Sequence, residues 1–481
     1  MKIDKSVKKN IQYLTNLNNN SSDIISRIIS KKIGYIFLES VSSDDKISDF
    51  LNKAITQYDK FDNIFEKLQN HLYNSNLSII DDMDNLFFYL ASGFTIIFVS
   101  GYQKAIVVET KSLLDRGVVE SNIEPVIRGP KDSFTENHPK NIGLIRKRIK
   151  DKNLFFDDLS IGRRSKTKIS ISYISDIADI NKVNQIKQII RSINIDAIID
   201  SSYIREFLER ENSIFPKVLS TERPDLVCSS LLNGKIAILV ENSPIVLILP
   251  GLLIDFMHSP EDYYQKPFNV SFNRLLRLIC FIITITVPAF YIALMTFNQE
   301  IIPDELLFSL AYQRNNVPFP TGIEVLIFVI IFEILREADI HSPKISGSAI
   351  SIVGALILGD AAVTAGLVSP IVIIIVAVTS ISELVFYDID MINALRQWRI
   401  IFIIFSLFTG LIGFVVALFI LIIRLVSLET LGIPYLTPIT PDYLKQWGDT
   451  IIRFPLQKLN LRPKYLTKNL KRMGDNEKGS I

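Results

Sequence analysis

The chain has 481 residues, 48% of them apolar, with a formal charge of +2 and a mean hydropathy of +0.29. That apolarity is high for a wholly water-soluble protein, and the near-neutral balance excludes a nucleic-acid binder with Lys and Arg massed throughout. Two cysteines, Cys228 and Cys280, are too few for a disulfide framework or a zinc site, and both read as small buried apolar residues. Charged residues crowd positions up to about 270 and the last 40, with a sparsely charged stretch between. The order reads as soluble domain, membrane domain, tail.

Residues 1–45 are rich in Asn, Ser and Lys and are expected to be a flexible N-terminal segment, with the Asn/Ser run at 16–22 a mobile linker. They lack the continuous apolar run of a secretory signal, so the first half is expected to stay in the cytoplasm. A first soluble α/β lobe is expected over 46–140. Within it Ile47, Leu51, Ile55, Tyr58, Ile64, Phe65 and Leu68 fall near helical spacing. Phe94-Thr-Ile-Ile-Phe-Val99 and Ala105-Ile-Val-Val108 flank a connection containing Gly101, which suits a β-hairpin.

A second soluble lobe is expected over 141–272. Lys168-Ile-Ser-Ile-Ser-Tyr-Ile174 alternates as a half-buried strand does, 179–193 and 202–211 look helical, and Asp196-Ala-Ile-Ile199 looks like a further strand. The window 236–254 is apolar enough to imitate a membrane span. Glu241-Asn-Ser-Pro244 splits it into runs of about five residues, far short of the roughly 20 that a helical span needs, so it reads as a buried hairpin.

A helical membrane domain is expected over 273–425, followed by a basic cytoplasmic tail over 426–481. Residues 278–297 carry no charge and are long enough to cross; Arg274 and Arg277 mark the cytoplasmic end, and Pro288 lies inside. Glu300, Asp304 and Glu305 suit an external loop. The run 400–423 is uncharged between Arg399 and Arg424, with Gly410 and Gly413 able to admit a close helix neighbour. Three further segments are less clear-cut: 323–338, which carries Glu324, Glu333, Arg336 and Glu337; 345–359, uncharged but short; and 361–382, with Pro370 inside. The tail is dominated by Lys445, Arg453, Lys458, Arg462, Lys464, Lys468, Lys471 and Arg472 and belongs with the N-terminal half inside, so the crossings should be even in number. Four crossings are expected, with 345–359 (Gly347, Gly354, Gly359) a broken or re-entrant helix.

No catalytic constellation is present. His71, His138, His258 and His341 form no metal motif, and Gly162-Arg-Arg-Ser-Lys-Thr167 lacks the glycine spacing of a phosphate loop and reads as a basic turn. An enzyme is not expected, and no cofactor or metal is implied. The acids in or beside apolar segments are a better lead, because a carboxylate in hydrocarbon costs a few kcal/mol unless it faces protein or water. Glu324, Glu333, Asp360 and Glu383 either line a cation pathway or pair with Arg336 or Arg399. For Glu333 the pairing is favoured, since Arg336 lies three residues along the same helix, and Glu383 is placed near the interface. Gly347, Ser348, Ser351, Gly354 and Ala355 either line a pore or permit close packing, and a ring of Ile357 or Val363 would gate by dewetting. The candidate ion pathway is therefore Glu333, Gly354, Ile357, Gly359, Asp360 and Val363.

Several segments resemble the A subunits of spore germinant receptors. They are Glu124-Pro-Val-Ile-Arg-Gly-Pro-Lys-Asp-Ser-Phe-Thr-Glu136, Asn141-Ile-Gly-Leu-Ile-Arg-Lys-Arg-Ile149, Glu222-Arg-Pro-Asp-Leu226, Asn233-Gly-Lys-Ile-Ala-Ile-Leu-Val240, Pro318-Phe-Pro320 with Phe332-Glu-Ile-Leu-Arg-Glu-Ala338, Ser351-Ile-Val-Gly-Ala-Leu-Ile-Leu-Gly359 and Gly432-Ile-Pro-Tyr-Leu-Thr-Pro438. They run in family order from about 90 to 440. The resemblance implies a role in waking dormant spores, from the spore inner membrane, beside a transporter-like B subunit and a lipoprotein C subunit. It also implies homo-oligomers that release monovalent cations. Where the family commonly has Gln, this chain has Asp360. Arg128 and Glu136 flank the turn Gly129-Pro130 and read as a salt-bridged lobe junction, with ligand binding the alternative and a two-state switch a further use. Against the ligand-gated cation conduit stand a non-conducting scaffold and a secondary transporter, the last weakened because no internal repeat is evident.

Overall fold

The computed structural model of the chain describes residues 2–17, 21–29, 32–43, 45–48, 63–72, 77–112, 124, 126–209, 213–341, 359–440 and 448–472. The chain forms two compact units: Met1–Glu211, Lys217–Gly251 and Pro455–Ile481 make the first, Asn212–Pro216 and Leu252–Phe454 the second.

The first unit opens with α1 (Val7–Leu17), β1 (Ile24–Ile29), β2 (Ile33–Leu38), α2 (Ile64–His71), β3 (Leu77–Ile80), α3 (Met83–Ala91), β4 (Phe94–Val99) and β5 (Ala105–Glu109). It continues through α4 (His138–Arg148), β6 (Leu154–Ile161), β7 (Thr167–Ile174), α5 (Ile180–Arg191), α6 (Ser201–Glu209), β8 (Leu219–Thr221), α7 (Pro224–Leu232), β9 (Ile236–Val240) and β10 (Val246–Leu249). Two five-stranded sheets result, ordered β1-β2-β4-β5-β3 and β6-β7-β9-β10-β8, with every neighbouring pair antiparallel. The strand order of the two sheets matches position for position, and among the described residues the helices fall in matching places except that two, α5 and α6, precede β8 where α2 precedes β3. The α/β half is thus an internal topological repeat. Its echo in the sequence is faint: Leu90-Ala-Ser-Gly-Phe94 and Leu231-Leu-Asn-Gly-Lys235 both end a helix on a left-handed glycine, Gly93 (φ 85°) and Gly234 (φ 96°), before a central strand.

The expected hairpins form at 94–109 and 236–249, the latter as buried strands and not as a span. Two readings are corrected. Residues 196–199 form no strand, the chain bending there instead. The N-terminal 45 residues contribute α1, β1 and β2 rather than a flexible segment. The reason is packing on both faces of the first sheet. Val7, Ile11 and Leu14 of α1 join Ile36, Leu86, Leu90 and Phe98 on one face, while Phe65 and Leu68 of α2 join Tyr35, Ile97 and Ile106 on the other. α1 lies so close over β2 that a Cβ on Gly34 would stand 2.6 Å from Val7 Cγ1.

Ser21, inside the expected linker, and Asp23, just past it, hold Arg146 of α4. The guanidinium donates from Nε to Asp23 Oδ2 (2.9 Å) and from Nη2 to Asp23 Oδ1 (3.0 Å) and Ser21 Oγ (3.2 Å), and its carbon lies 5.0 Å above the Phe156 ring. Arg146 has no exposed side chain and Asp23 has 3%. Burial works to raise the Asp23 pKa, but the charge of Arg146 overrides it and holds the carboxyl below its ordinary value of 3.8. The C-terminal tail is part of the same unit: Arg462 Nε donates to the Leu232 carbonyl at 2.8 Å and Thr467 Oγ1 donates to the Ile177 carbonyl.

The second unit holds α8 (Leu253–Met257), α9 (Pro267–Thr296), α10 (Asp304–Arg314), α11 (Thr321–His341), α12 (Pro370–Glu383), α13 (Ile389–Thr409) and α14 (Leu411–Ser427). Among the described residues α9 and α13 are long and apolar enough to cross a membrane; α12 and α14 are apolar but shorter. α9 has 30 residues, about 45 Å, and runs through Pro288 without ending. Pro370, expected inside a helix, opens α12 instead, where its missing N–H costs nothing. The run 400–423 is two helices, not one. Gly410 adopts φ 62°, and the Phe402 and Phe414 rings lie 5.6 Å apart where a straight helix would hold them about 18 Å apart. The segment 345–359 lies outside the described residues except for Gly359.

Breaking the Asp23–Arg146 pair one partner at a time strands a buried charge, which costs about 3–5 kcal/mol. Asp23→Asn and Arg146→Leu should each destabilise the first unit by about that much, read as faster proteolysis of the full chain in detergent. A loss below about 1 kcal/mol would show that water reaches the pair.

Candidate functional site

The helical unit concentrates its buried charge at three places. The first is a network joining α11, α12 and α13. Glu383, with 4% of its side chain exposed, accepts from Arg336 Nη1 at 2.9 Å and from Arg399 Nη1 at 3.0 Å. Arg399 Nη2 reaches Glu333 Oε1 at 2.5 Å, and Arg396 Nη2 bonds the other oxygen of Glu333. Three guanidiniums therefore share two carboxylates. The expected intrahelical pair of Glu333 with Arg336 is not the one made. The side chains turn to the facing helices, where both oxygens of each acid are used.

The second place is the start of α11. Glu324, fully buried, accepts at Oε1 from the backbone N and the hydroxyl of Ser369, both at 2.6 Å, and Arg314 Nε lies 3.6 Å from Oε2. Beside it opens a cavity of about 490 Å³ lined by Phe319, Ile327, Phe328, Ala361, Ala362 and Ala365, among others. Glu324 thus meets the residue that caps α12, and Arg336, further along α11, meets the last residue of α12. α11 and α12 run in the same direction, with α13 opposed.

The third place is a collar at the start of α9. Asp262 accepts from Arg274 Nε (3.0 Å) and from Arg277 Nη1 and Nη2 (both 2.9 Å). Arg274 also reaches Asp449 Oδ1 (3.2 Å) and the Thr450 carbonyl (3.1 Å), which in turn meets His258 Nε2 at 2.7 Å. The Tyr263 ring takes Arg274 and Arg453 at 5.9 and 5.5 Å from its centroid. Arg274 and Arg277, read from sequence as positive-inside markers, are both paired with acids in this collar. Burial first, and the charge of Arg274 second, push the His258 pKa from 6.5 down to about 3.

The residues singled out from sequence are not all brought together. Asp360 is exposed in a short helical turn with Gly359 and Val363, both half-buried, and the following alanines wall the cavity beside Glu324. Gly354 and Ile357, with Gly347, Ser348, Ser351 and Ala355, lie outside the described residues. Arg128, Gly129 and Glu136 are exposed, and among the described residues no ion pair joins Arg128 to Glu136. The junction is held instead by Arg223, 1% exposed, which donates to the Pro130 carbonyl (3.0 Å), Asp225 Oδ2 (2.8 Å) and the Glu124 carbonyl (3.3 Å). Thr221 Oγ1 donates to Glu124 Oε2 at 2.6 Å, and Arg148 Nη2 donates to both oxygens of Asp132 at 2.6 Å. Arg223 was visible as a charged residue set between Glu222 and Pro224, but nothing local says that it turns inward. Both cysteines are buried and unpaired, as expected. Among the described residues no group of three His, Cys, Asp or Glu side chains is placed to hold a metal ion.

The architecture defines the class first: a duplicated two-sheet α/β unit in one chain with a helical unit that has, among the described residues, two helices of membrane-spanning length, and internal ion pairs. The family described as Bacillus/Clostridium GerA spore germination protein matches residues 12–465. The chain belongs to that family, the A subunits of spore germinant receptors. It is 36% identical to spore germination protein KA of Bacillus subtilis (strain 168) over 479 residues, covering 97% of this chain and 88% of that protein. It is 34% identical to spore germination protein GerLA of Bacillus cereus over 437 residues, 90% of this chain and 88% of that one. The crystal structure of the N-terminal domain of the A subunit of the Bacillus megaterium germinant receptor GerK3 matches with 28% identity and a TM-score of 0.42, covering 53% of this chain and 98% of that chain.

Two outcomes are expected here. Glu383→Gln leaves Arg336 and Arg399 without their shared acid and should cost about 3–5 kcal/mol of stability in detergent. Adding Arg399→Gln should recover part of it, and strict additivity of the two changes would mean that the pair is not coupled. The pH response is set by His258. Above about pH 6.5 its ring is neutral in both states; as pH falls towards 3 the unfolded chain takes up a proton that the folded one does not. The helical unit should lose about 2 kcal/mol between pH 7 and pH 5, and His258→Gln should flatten that slope in thermal unfolding.

Proposed function

We propose that this chain is the channel-forming A subunit of a nutrient-responsive germinant receptor in the spore inner membrane, releasing monovalent cations to start germination. It assembles with further copies of itself beside a transporter-like B subunit and a lipoprotein C subunit. The observation that carries the reading is Asp360. It is an exposed carboxylate on a short helical turn, and in the sequence it directly follows the uncharged run 345–359. An acid kept in such surroundings is functional by default, and a ring of acids contributed by several copies would concentrate cations.

Glu333 and Glu383 are assigned a different part in this reading. Their oxygens are taken up by arginines, so they brace the bundle and do not line the path. Such full pairing is what a non-conducting scaffold would also require, and it is the observation that keeps the scaffold as second reading. The topology proposed has an even number of crossings, with N-terminal domain and tail both cytoplasmic, because both belong to one compact unit.

Nutrient-triggered potassium release from spores carrying Asp360→Ala, at equal receptor level, should fall several-fold or change its ion selectivity. Release unchanged in rate and selectivity would remove Asp360 from the pathway and leave the scaffold. Cysteines placed at Glu300 and Lys458 should label from opposite faces of the membrane; labelling from one face would overturn the orientation.

A further inference from the structure

Asp360 can serve a cation path only if its carboxylate is held in one place, which depends on what supports the turn that carries it. The acid sits in a helical turn over 359–364. Gly366, in the left-handed region at φ 68°, closes that turn. Its N–H donates to the Val363 carbonyl and that of Leu367 to the Ala362 carbonyl, both at 2.9 Å. Val368 and Ser369 follow, both buried, and α12 begins at Pro370. The start of the turn lies back along α12, since a Cβ on Gly359 would stand 3.9 Å from Ile373 Cδ1. The turn and the first part of α12 are one piece.

Small side chains leave the apolar packing between this piece and α11 thin. Ala361, Ala362 and Ala365 of the turn share the cavity of about 490 Å³ with Phe319, Ile327 and Phe328. The fastening there is polar. Ser369 stands at the N-cap position of α12 but gives that helix no side-chain cap. Its hydroxyl and its backbone N both donate to Glu324 Oε1 instead, at 2.6 Å each. In a capping box an acid of the same helix takes up the N-cap N–H; here an acid of the neighbouring helix does so. The position also suits a carboxylate, because the helix dipole favours an anion at that end. Glu324 itself is on a fixed post. It is fully buried, its neighbours Val325 and Val329 are buried too, and a Cβ on Gly322 would overlap Leu407 of α13. Arg314, the last residue of α10, stands 3.6 Å from Oε2 and leaves Oε1 to Ser369.

We propose that Glu324 is the positioning residue for Asp360: through Ser369 it fixes the turn that presents the exposed acid. The inference rests on the reading of Asp360 given above and adds to it a buried acid that acts at a distance from the ion. What the turn needs from Glu324 is an acceptor oxygen, which the side chain of Gln also offers and that of Leu does not. Arg314, with 20% of its side chain exposed, keeps its access to water when the charge of Glu324 is removed.

The test has two readouts. In the full chain in detergent, nitroxides attached through Asp360→Cys and Ile334→Cys report the distance from the turn to the exposed side of α11. The two native cysteines are buried, and labelled chains are diluted with unlabelled ones so that pairs within one chain are measured. The distance distribution should be as narrow with Glu324→Gln as with Glu324, and should broaden about twofold or more with Glu324→Leu. In spores, nutrient-triggered potassium release is compared at equal receptor level for Asp360→Ala, Glu324→Leu, Glu324→Gln and the first two combined. Glu324→Leu should reproduce the loss or altered selectivity of Asp360→Ala, and Glu324→Gln should not. The combination should be no worse than Asp360→Ala alone, because two residues that act through one another are not additive. Should Glu324→Leu fail to accumulate, Ser369→Ala replaces it in both readouts, with a smaller change of the same sign expected. An unbroadened distribution, or losses that multiply in the combination, would overturn the proposal. A broadened distribution with Asp360→Ala silent would keep Glu324 as the holder of the turn and overturn only the ion path.

Discussion

A guanidinium shut away from water must find its counter-charge inside the fold, and that requirement organises both units of this chain. Arg146 has no exposed side chain and is met by Asp23, more than a hundred residues earlier. Arg274 and Arg399, each 2% exposed on their side chains, are met by Asp262 and Glu383. In each case the partner comes from a different element, so satisfying the charge also fixes which elements lie side by side. The net worth of a buried pair against a hydrophobic substitute is small, but the cost of breaking one half of it is large. These pairs therefore act as registration devices more than as stores of stability.

The helical unit illustrates how such devices serve a bundle of apolar helices. An apolar bundle offers little to tell one helix face from another, because every face is coated in Ile, Leu, Val and Phe. The five charges of α11, α12 and α13 make the arrangement specific, and Glu324 with Ser369 ties the opposite ends of α11 and α12. The collar around Asp262 does the same at the entry to α9, where His258 adds a dependence on pH. Paired charges hold the helices, and Asp360 remains as an exposed acid. That division of labour is the physical content of the channel reading.

Sequence reasoning succeeded where burial leaves a local trace. The hairpins at 94–109 and 236–249 are short apolar runs split by turn residues, and both form. It failed in three kinds of place. In 1–45, abundant Asn, Ser and Lys masked an amphipathic helix and two strands, because α1 needs only Val7, Ile11 and Leu14 to seat it. At 196–199 the run Asp-Ala-Ile-Ile found no partner strand and stayed a bend. At Gly410 an uncharged run of spanning length concealed a reversal, since hydropathy records what a segment can be dissolved in and not whether it is straight. The repeat escaped notice because two halves can share strand order while sharing almost no residues.

What the sequence by itself determined is the division into a soluble and an apolar half, the family, the central strands, and which acids stand in apolar surroundings. Those follow from composition and short-range pattern, which burial acts on directly. Only the tertiary structure decided the partners: Glu333 with Arg396 and Arg399 in place of Arg336, Arg223 in place of Arg128 at the junction, and Asp23 beneath α4. It also decided that Glu324 of α11 takes up the N-cap N–H of α12. Pairing of charges depends on distances of a few ångströms between residues tens or hundreds apart in the chain, and no local pattern encodes those distances.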